Sequence, residues 1–194
     1  MRMNKILTAY NYELNKFIND KLPDNNIYKP ISYIFNLGGK KIRPFFLLYS
    51  FKIFGGKGKK INQVALAIES LHNFSLIHDD VMDKAEKRRG KLTVQKKWNE
   101  NYAILSGDAL LIICFKILNN LALDNKKELV NEFVNSSLRI CEGQQIDLEM
   151  ENKLSISIDE YYNMIKLKTA ALFEFCFKMG CYLAGGNLTN QNKM

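Results

Sequence analysis

One stretch of nine residues, Ser75-Leu76-Ile77-His78-Asp79-Asp80-Val81-Met82-Asp83, organises this sequence. It closes a long apolar run with helical periodicity, and it places three carboxylates within five residues. A basic pair, Arg88-Arg89, follows shortly after it. A folding core has no use for so much charge at its edge, whereas Mg²⁺ bound with phosphate oxygens takes carboxylate ligands. The stretch therefore predicts a helix that ends in a metal–phosphate site.

The composition indicates a folded chain of 194 residues, 47% of them hydrophobic, and we expect a single domain over residues 1–194. No apolar run reaches the roughly 18 residues that a membrane span needs, and the N-terminus lacks a signal-peptide core. Four cysteines without C-x-x-C spacing are typical of reduced core residues in a cytosolic protein. We therefore predict a cytoplasmic protein without a membrane span.

The net charge of +8 has two interpretations. It reflects either lysine-rich solvated faces or an anionic ligand, and only the location of the charges decides between them. Nucleic acid is a poor candidate for that ligand, because no aromatic residues are interleaved with the lysines in a groove-like array. We expect no nucleic-acid partner.

Helical periodicity dominates the chain, and strict alternation is scarce. Helices are predicted over roughly residues 4–21, 31–37, 44–54, 61–82, 103–121, 126–151 and 157–183. The last of these opens with a capping box of Ser157 and Glu160. Short connections and the lack of a composition shift predict an all-α bundle.

The aspartates have a defined geometry on the helix predicted to end near Asp83. His72, Asp79 and Asp83 are seven and four residues apart, so at about 100° per residue all three return to one stripe. Two carboxylates one turn apart can flank metal ions. The alternative is a solvated helix end, although acids at a helix C-terminus oppose the helix dipole.

A second constellation occupies residues 38–44, Gly-Gly-Lys-Lys-Ile-Arg-Pro. Two glycines let the backbone approach a ligand closely, and Lys40 and Arg43 lie near a helix start, where backbone N–H groups favour anions. The run lacks the Gly-Lys-Ser/Thr ending of a P-loop. It is either an anion-binding loop or an ordinary helix entry.

Two further polar groups lie within predicted helices. Gln144, Asp147 and Glu151 recur at helical spacing, which indicates either a polar cavity wall or an exposed stripe. Lys168 and Thr169 lie in an increasingly apolar segment, where a buried lysine would need a partner anion.

Together these residues resemble the trans-isoprenyl diphosphate synthases, or polyprenyl synthetases. That family shows, in order, a GGKxxRP loop, a DDxxD helix end, RRG, and helices with GDxLL, GQxxDL and KT. This chain carries them at residues 38–44, 79–83, 88–90, 107–111, 143–148 and 168–169. The resemblance implies an isoprenoid synthase-type helical bundle around a central cavity and Mg²⁺-dependent head-to-tail condensation of isopentenyl diphosphate with an allylic diphosphate.

The resemblance also implies roles for the matched positions. Asp79 and Asp83 would bind Mg²⁺, with Asp80 in support. The diphosphates would be held by Lys40, Arg43, His72, Arg88, Arg89 and Gln144, with Arg88 on the allylic one. Lys168 and Thr169 would stabilise the departing diphosphate.

Product length in such enzymes depends on the residue five before the first aspartate. That residue is Phe74, followed by the small Ser75, and five residues correspond to about 7.5 Å of helix. A ring at this depth should stop growth early, so we expect a C15–C20 product.

The chain departs from the family in one respect. After Asp83 only isolated aspartates occur, at positions 108, 124, 147 and 159, so a second DDxxD is missing. We therefore expect a domain that is incomplete at its C-terminal side. The alternative to an active enzyme is a truncated, non-catalytic or half-site subunit that binds diphosphate and pairs with another chain. The family implies a homodimer, and a heteromer is the other possibility.

Overall fold

Helices make up nearly all regular structure in the computed structural model of the protein, which describes residues 3–186. The α-helices are α1 Met3–Lys16, α2 Tyr28–Asn36, α3 Ile42–Ile53, α4 Ile61–Met82, α5 Val94–Lys97, α6 Glu100–Asn119, α7 Lys126–Met150, α8 Ile158–Ile165 and α9 Ala171–Leu183. Two π-helical segments, Phe17–Lys21 and Lys166–Ala170, continue α1 and join α8 to α9. The all-α prediction is confirmed.

Two of the helices begin at a side-chain cap. The predicted capping box is present, because the Ser157 hydroxyl accepts from the Glu160 backbone N–H and the Glu160 carboxylate accepts from the Ser157 N–H. The helix predicted from residue 103 begins earlier, at Glu100, because the Asn99 side chain accepts from the Tyr102 backbone N–H.

A short hairpin and a short helix, α5, occupy a region that we predicted to be only a connection. Strands β1 (Lys87–Arg88) and β2 (Lys91–Leu92) are antiparallel, with Arg88 opposite Lys91. The two turn residues, Arg89 and Gly90, have φ of 53° and 76°, and positive φ at both positions is what a type I′ turn requires. Arginine is an unusual residue there, so the turn signal in the sequence was weak.

The chain divides into two compact units, the first comprising Met1–Phe45 and Lys59–Leu121. Its centre is α4, which packs along α6 and carries α1 on another side. Consecutive residues 64–71 of α4 are buried, including Val64, Ile68 and Leu71, because helices cover this segment on several faces. The position of the carboxylate stretch is therefore set by a fully packed helix.

The second unit comprises Phe46–Gly58 and Ala122–Met194. Here α7 packs on the π-helical segment Lys166–Ala170 and on α9, around Phe133, Phe175 and Met179. A methyl group at Gly143 would lie 2.2 Å from the Lys168 backbone nitrogen, so only glycine allows this approach of α7. The predicted single domain over residues 1–194 stays a prediction.

The cysteines differ from expectation at one position. Cys114, Cys176 and Cys181 are buried and reduced, as predicted, but Cys141 is exposed on α7. The prediction that all four are core residues is wrong for Cys141, because the burial of a helix residue depends on which face its neighbours cover.

One helix, α6, is long and apolar enough to cross a membrane by length and composition alone. The packed core helix of a soluble protein passes the same test, and α6 packs along α4. The absence of a membrane span stays a prediction.

Candidate diphosphate and metal site

The aspartate stretch lies at the C-terminal end of α4. Asp83 caps the helix, and its backbone N–H donates to the Asp79 carbonyl at 2.9 Å, so the two residues are one turn apart, as predicted. Asp83 is exposed and Asp79 is half-buried, whereas Asp80 is buried. The three carboxylates therefore occupy three different environments.

Arg88 of β1 binds the buried carboxylate. Its Nε donates to both Asp80 oxygens, at 2.9 and 3.0 Å, and its Nη2 lies 2.7 Å from Asp80 Oδ1. The same Nη2 lies 3.5 Å from Asp79 Oδ2. Burial raises the pKa of Asp80, against the hydrogen bond and charge of Arg88, which lower it. This pair ties the hairpin to the end of α4.

His72 lies at the centre of a group of cations. Its Nε2 is 3.0 Å from Arg43 Nη1, and because an arginine N–H can only donate, Nε2 is the acceptor and the ring proton is on Nδ1. Burial, and after it the charges of Arg43, Arg89, Lys41 and Arg88, together lower the pKa of His72 to about 3. The imidazole is therefore neutral at physiological pH, within a positive field.

The glycine loop at residues 38–44 contacts one of these arginines. The Arg89 guanidinium donates to the Gly38 carbonyl, and a methyl group at Gly39 would lie 2.9 Å from Arg89 Nη2. Gly39 also has a φ of 138°, which side chains rarely adopt. Gly39 thus makes room for an arginine of the hairpin, while Lys40 beside it is exposed.

A buried ion pair below this group was missed by the sequence reasoning. Lys41 Nζ lies 2.8 Å from Glu69 Oε1, and the two side chains are only 11% and 3% exposed. Glu69 is the single acid in the buried segment 64–71 of α4, one turn before His72. An isolated acid in an apolar segment was the sequence feature that could have predicted a buried ion pair. The pair and the Arg43–His72 contact dock the loop on successive turns of α4.

The donor set suits Mg²⁺ only together with a substrate. Among residues 3–186 no group of three or more His, Cys, Asp or Glu side chains is arranged to hold a metal ion. Arg88 makes its closest contacts with Asp80, so Asp79 and Asp83 are the carboxylates of the stretch that could bind the ion. Mg²⁺ is commonly bound by one or two carboxylates plus phosphate oxygens and water. The residues present therefore fit that ion.

The two residues predicted to set product length lie within α4. The Phe74 ring meets the His78 ring edge-on, with centroids 4.7 Å apart. The Ser75 hydroxyl donates to the His72 carbonyl at 2.9 Å. Both side chains are half-buried, and their part in product length stays a prediction.

The later motifs meet one another in the second unit. Lys168 Nζ forms an ion pair with Asp147, so the KT and GQxxDL segments come together, and both side chains are half-buried. The Gln144 side-chain nitrogen is buried and has no hydrogen-bond acceptor in the part of the chain that the structure describes. Thr169 is exposed.

Comparison with known proteins gives a consistent picture. The chain is 38% identical over 191 residues to a short chain isoprenyl diphosphate synthase of Methanothermobacter thermautotrophicus, which covers 96% of this chain and 59% of the relative. It is 36% identical to a geranylgeranyl diphosphate synthase of Sulfolobus acidocaldarius over 95% of this chain and 56% of that one. The chain thus spans somewhat more than half the length of these relatives.

The fold agrees with the sequence similarity. A geranylgeranyl pyrophosphate synthetase structure from the archaeon Geoglobus acetivorans matches with a TM-score of 0.91 at 30% identity, over 98% of this chain and 62% of that one. The predicted isoprenoid synthase fold is confirmed. A family model described as polyprenyl synthetase matches residues 24–194. The chain therefore belongs to the polyprenyl synthetase family.

Proposed function

We propose that this protein is a Mg²⁺-dependent prenyltransferase of isoprenoid biosynthesis, which joins isopentenyl diphosphate head-to-tail to an allylic diphosphate. One observation carries the proposal. Four cations surround His72, whose pKa is lowered by burial and then by their charges, on the helix that presents Asp79 and Asp83 at its end. Cations gathered at one point favour a polyanion, and adjacent carboxylates favour a divalent ion that accompanies it.

Two of the arginines have uncharged groups among their contacts. Arg43 donates to the uncharged His72 ring, and Arg89 donates to a backbone carbonyl. Neither contact neutralises a guanidinium, and guanidinium groups bind phosphate oxygens in a bidentate way. In this proposal Lys40, Arg43, His72 and Arg89 hold isopentenyl diphosphate.

The allylic diphosphate is assigned to the aspartate end of α4. Asp79 and Asp83 hold Mg²⁺, which when bound neutralises charge on the leaving diphosphate. Asp80 supports them by orienting Arg88, whose side chain is 24% exposed and contacts the allylic diphosphate. From the family resemblance, Gln144, Lys168 and Thr169 are also assigned to diphosphate binding.

The reaction assigned to these residues is a prenyl transfer. The allylic C–O bond ionises, and the resulting cation is attacked by the C=C bond of isopentenyl diphosphate. A proton then leaves, and the released diphosphate is its acceptor. Cationic side chains that stabilise the developing negative charge lower the barrier to ionisation.

The product is proposed to be C15–C20, because the Phe74 ring lies about one and a half turns before Asp79. Replacing Phe74 by Ala should lengthen the product, and Tyr102→Ala on α6 is a control of similar change in size. Unchanged product length in an active Phe74→Ala enzyme would refute this assignment.

The partners follow from the same proposal. The substrates are isopentenyl diphosphate and an allylic prenyl diphosphate, and a second subunit forms a homodimer or heteromer. We propose no nucleic-acid partner and a cytoplasmic location. Relatives named geranylgeranyl and short chain isoprenyl diphosphate synthases support the substrate class.

The test is prenyl transfer by the full chain, with radiolabelled isopentenyl diphosphate, geranyl diphosphate and Mg²⁺. We expect labelled product that EDTA abolishes and that Asp79→Asn reduces by about 100-fold or more, as for residues that act in the transition state. Asp124→Asn, an exposed acid outside the motifs, is the control. Product formation that does not depend on Asp79 would overturn the proposal.

A half-site subunit is the second candidate. It is the alternative that the sequence left open, and it differs from an active enzyme in binding diphosphate without turnover. In that case calorimetry would show Mg²⁺-dependent diphosphate binding that Asp79→Asn abolishes, while the assay gives no product. Failure to bind diphosphate would exclude both candidates.

A further inference from the structure

The pair Gly107-Asp108 begins the GDxLL motif, but it has no role in the proposed site. Gly107 is buried in the middle of α6, and it faces α4 at His78, the residue directly before Asp79. Glycine is a poor helix former, so a buried glycine in a helix interior calls for a packing reason.

The packing reason is the His78 ring. A methyl group at Gly107 would lie 2.3 Å from His78 Nε2 and 2.4 Å from Cδ2. The same Nε2 lies 3.2 Å from the Ile104 carbonyl and 3.6 Å from Asp108 Oδ1. Since a carbonyl oxygen only accepts, Nε2 carries the proton and donates. His78 thus enters the space over Gly107 and bonds to the backbone of α6.

We propose that His78 is a positioning residue. Its ring packs against Gly107 and fixes the last turn of α4, and with it Asp79, against α6. The inference rests on the proposed function, since it assigns His78 to the metal–diphosphate site without contact to either ligand. An apolar side chain could fill the space but could not donate to Ile104. The hydrogen bond therefore sets the angle of the ring and the height of the helix end.

Four variants separate this role from packing: Gly107→Ala, His78→Ala, His78→Gln, and Gly107→Ala with His78→Ala. Binding of Mn²⁺ in the presence of inorganic pyrophosphate, followed by the loss of the free Mn²⁺ electron paramagnetic resonance signal, reports on the site without turnover. Thermal unfolding of each variant reports on the fold. Asn101→Ala, an exposed α6 substitution, is the control.

We expect His78→Ala and Gly107→Ala each to weaken Mn²⁺ binding by about tenfold, as other positioning residues behind metal ligands do. His78→Gln keeps an N–H donor and should recover most of the affinity. The double variant should bind no more weakly than His78→Ala, because the three atoms nearest to the added methyl group all belong to the His78 ring. Asp108→Asn should have little effect, since this carboxylate is 54% exposed.

The outcomes distinguish the two proposals. Wild-type protein that does not bind Mn²⁺ with pyrophosphate would refute the proposed function. Wild-type binding with unchanged affinity in His78→Ala, or additive losses in the double variant, would overturn the positioning role alone. Equal losses in His78→Ala and His78→Gln would also overturn it, since packing and not donation would then matter.

Discussion

Two basic regions of the molecule hold their cations in different ways. In the first unit, Arg43 and Arg89 donate to uncharged acceptors, and their charges lower the pKa of the buried His72. In the second unit, Lys168 pairs directly with the carboxylate of Asp147. These contacts of Arg43 and Arg89 involve no carboxylate, whereas the contact of Lys168 with Asp147 is an ion pair.

This difference indicates which motif residues bind the substrate and which stabilise the fold. An arginine held by neutral groups is oriented without losing its attraction for phosphate. A lysine held by an acid must exchange that partner before it can bind an anion. We therefore expect substrate affinity to depend on the first region more than on the second.

The largest loss of stability is expected for Arg88→Met, which removes the buried Arg88–Asp80 ion pair of the first unit. Asp80, whose side chain is 2% exposed, would lose its partner, and breaking a buried pair costs about 3–5 kcal/mol. Urea denaturation measures the loss. Arg139→Met, which removes a pair with the 60% exposed Glu174 of the second unit, should cost less than about 1 kcal/mol. Equal losses would contradict the distinction.

A smaller effect is expected from pH at His72. Its pKa is about 3 in the folded protein and 6.5 in the reference state, so the unfolded chain binds more protons between these values. The stability contributed by neutral His72 is complete above pH 6.5 and is lost as pH falls toward 3, by up to about 1.4 kcal/mol per pH unit.

The measurement is the free energy of unfolding of the wild type and His72→Gln, from pH 7.5 to 4. Glutamine can still accept from Arg43 but does not titrate in this range, so the variant should lose less stability on acidification. Parallel pH profiles would show that neither burial nor the cations lower the pKa of this ring.

The smallest effect is expected from Lys168→Met. Lys168 and Asp147 are both partly solvated, and exposed pairs contribute less than about 1 kcal/mol. Thermal unfolding with Asp147→Asn as the matched variant tests this. A loss of several kcal/mol in either would mean that the second region behaves like the buried Arg88–Asp80 pair, and the comparison would fail.

Much of the site was accessible from the sequence because its parts are local. The positions of Asp79 and Asp83 follow from helical periodicity, and the Ser157–Glu160 box is readable four residues at a time. The hairpin at Arg88 was missed, since two-residue strands carry almost no pattern and its turn has arginine where glycine or asparagine is usual.

The longer helices, the order of the motifs and the spacing of Asp79 and Asp83 were predictable from the sequence, because these depend on neighbours along the chain. Only the tertiary structure decided which carboxylate is buried against Arg88, which arginines meet His72, and that Gly107 receives His78. These contacts join residues up to about 50 positions apart, as Arg89 and Gly38 show. Their energies depend on burial and on the field of several charges, which no local pattern contains.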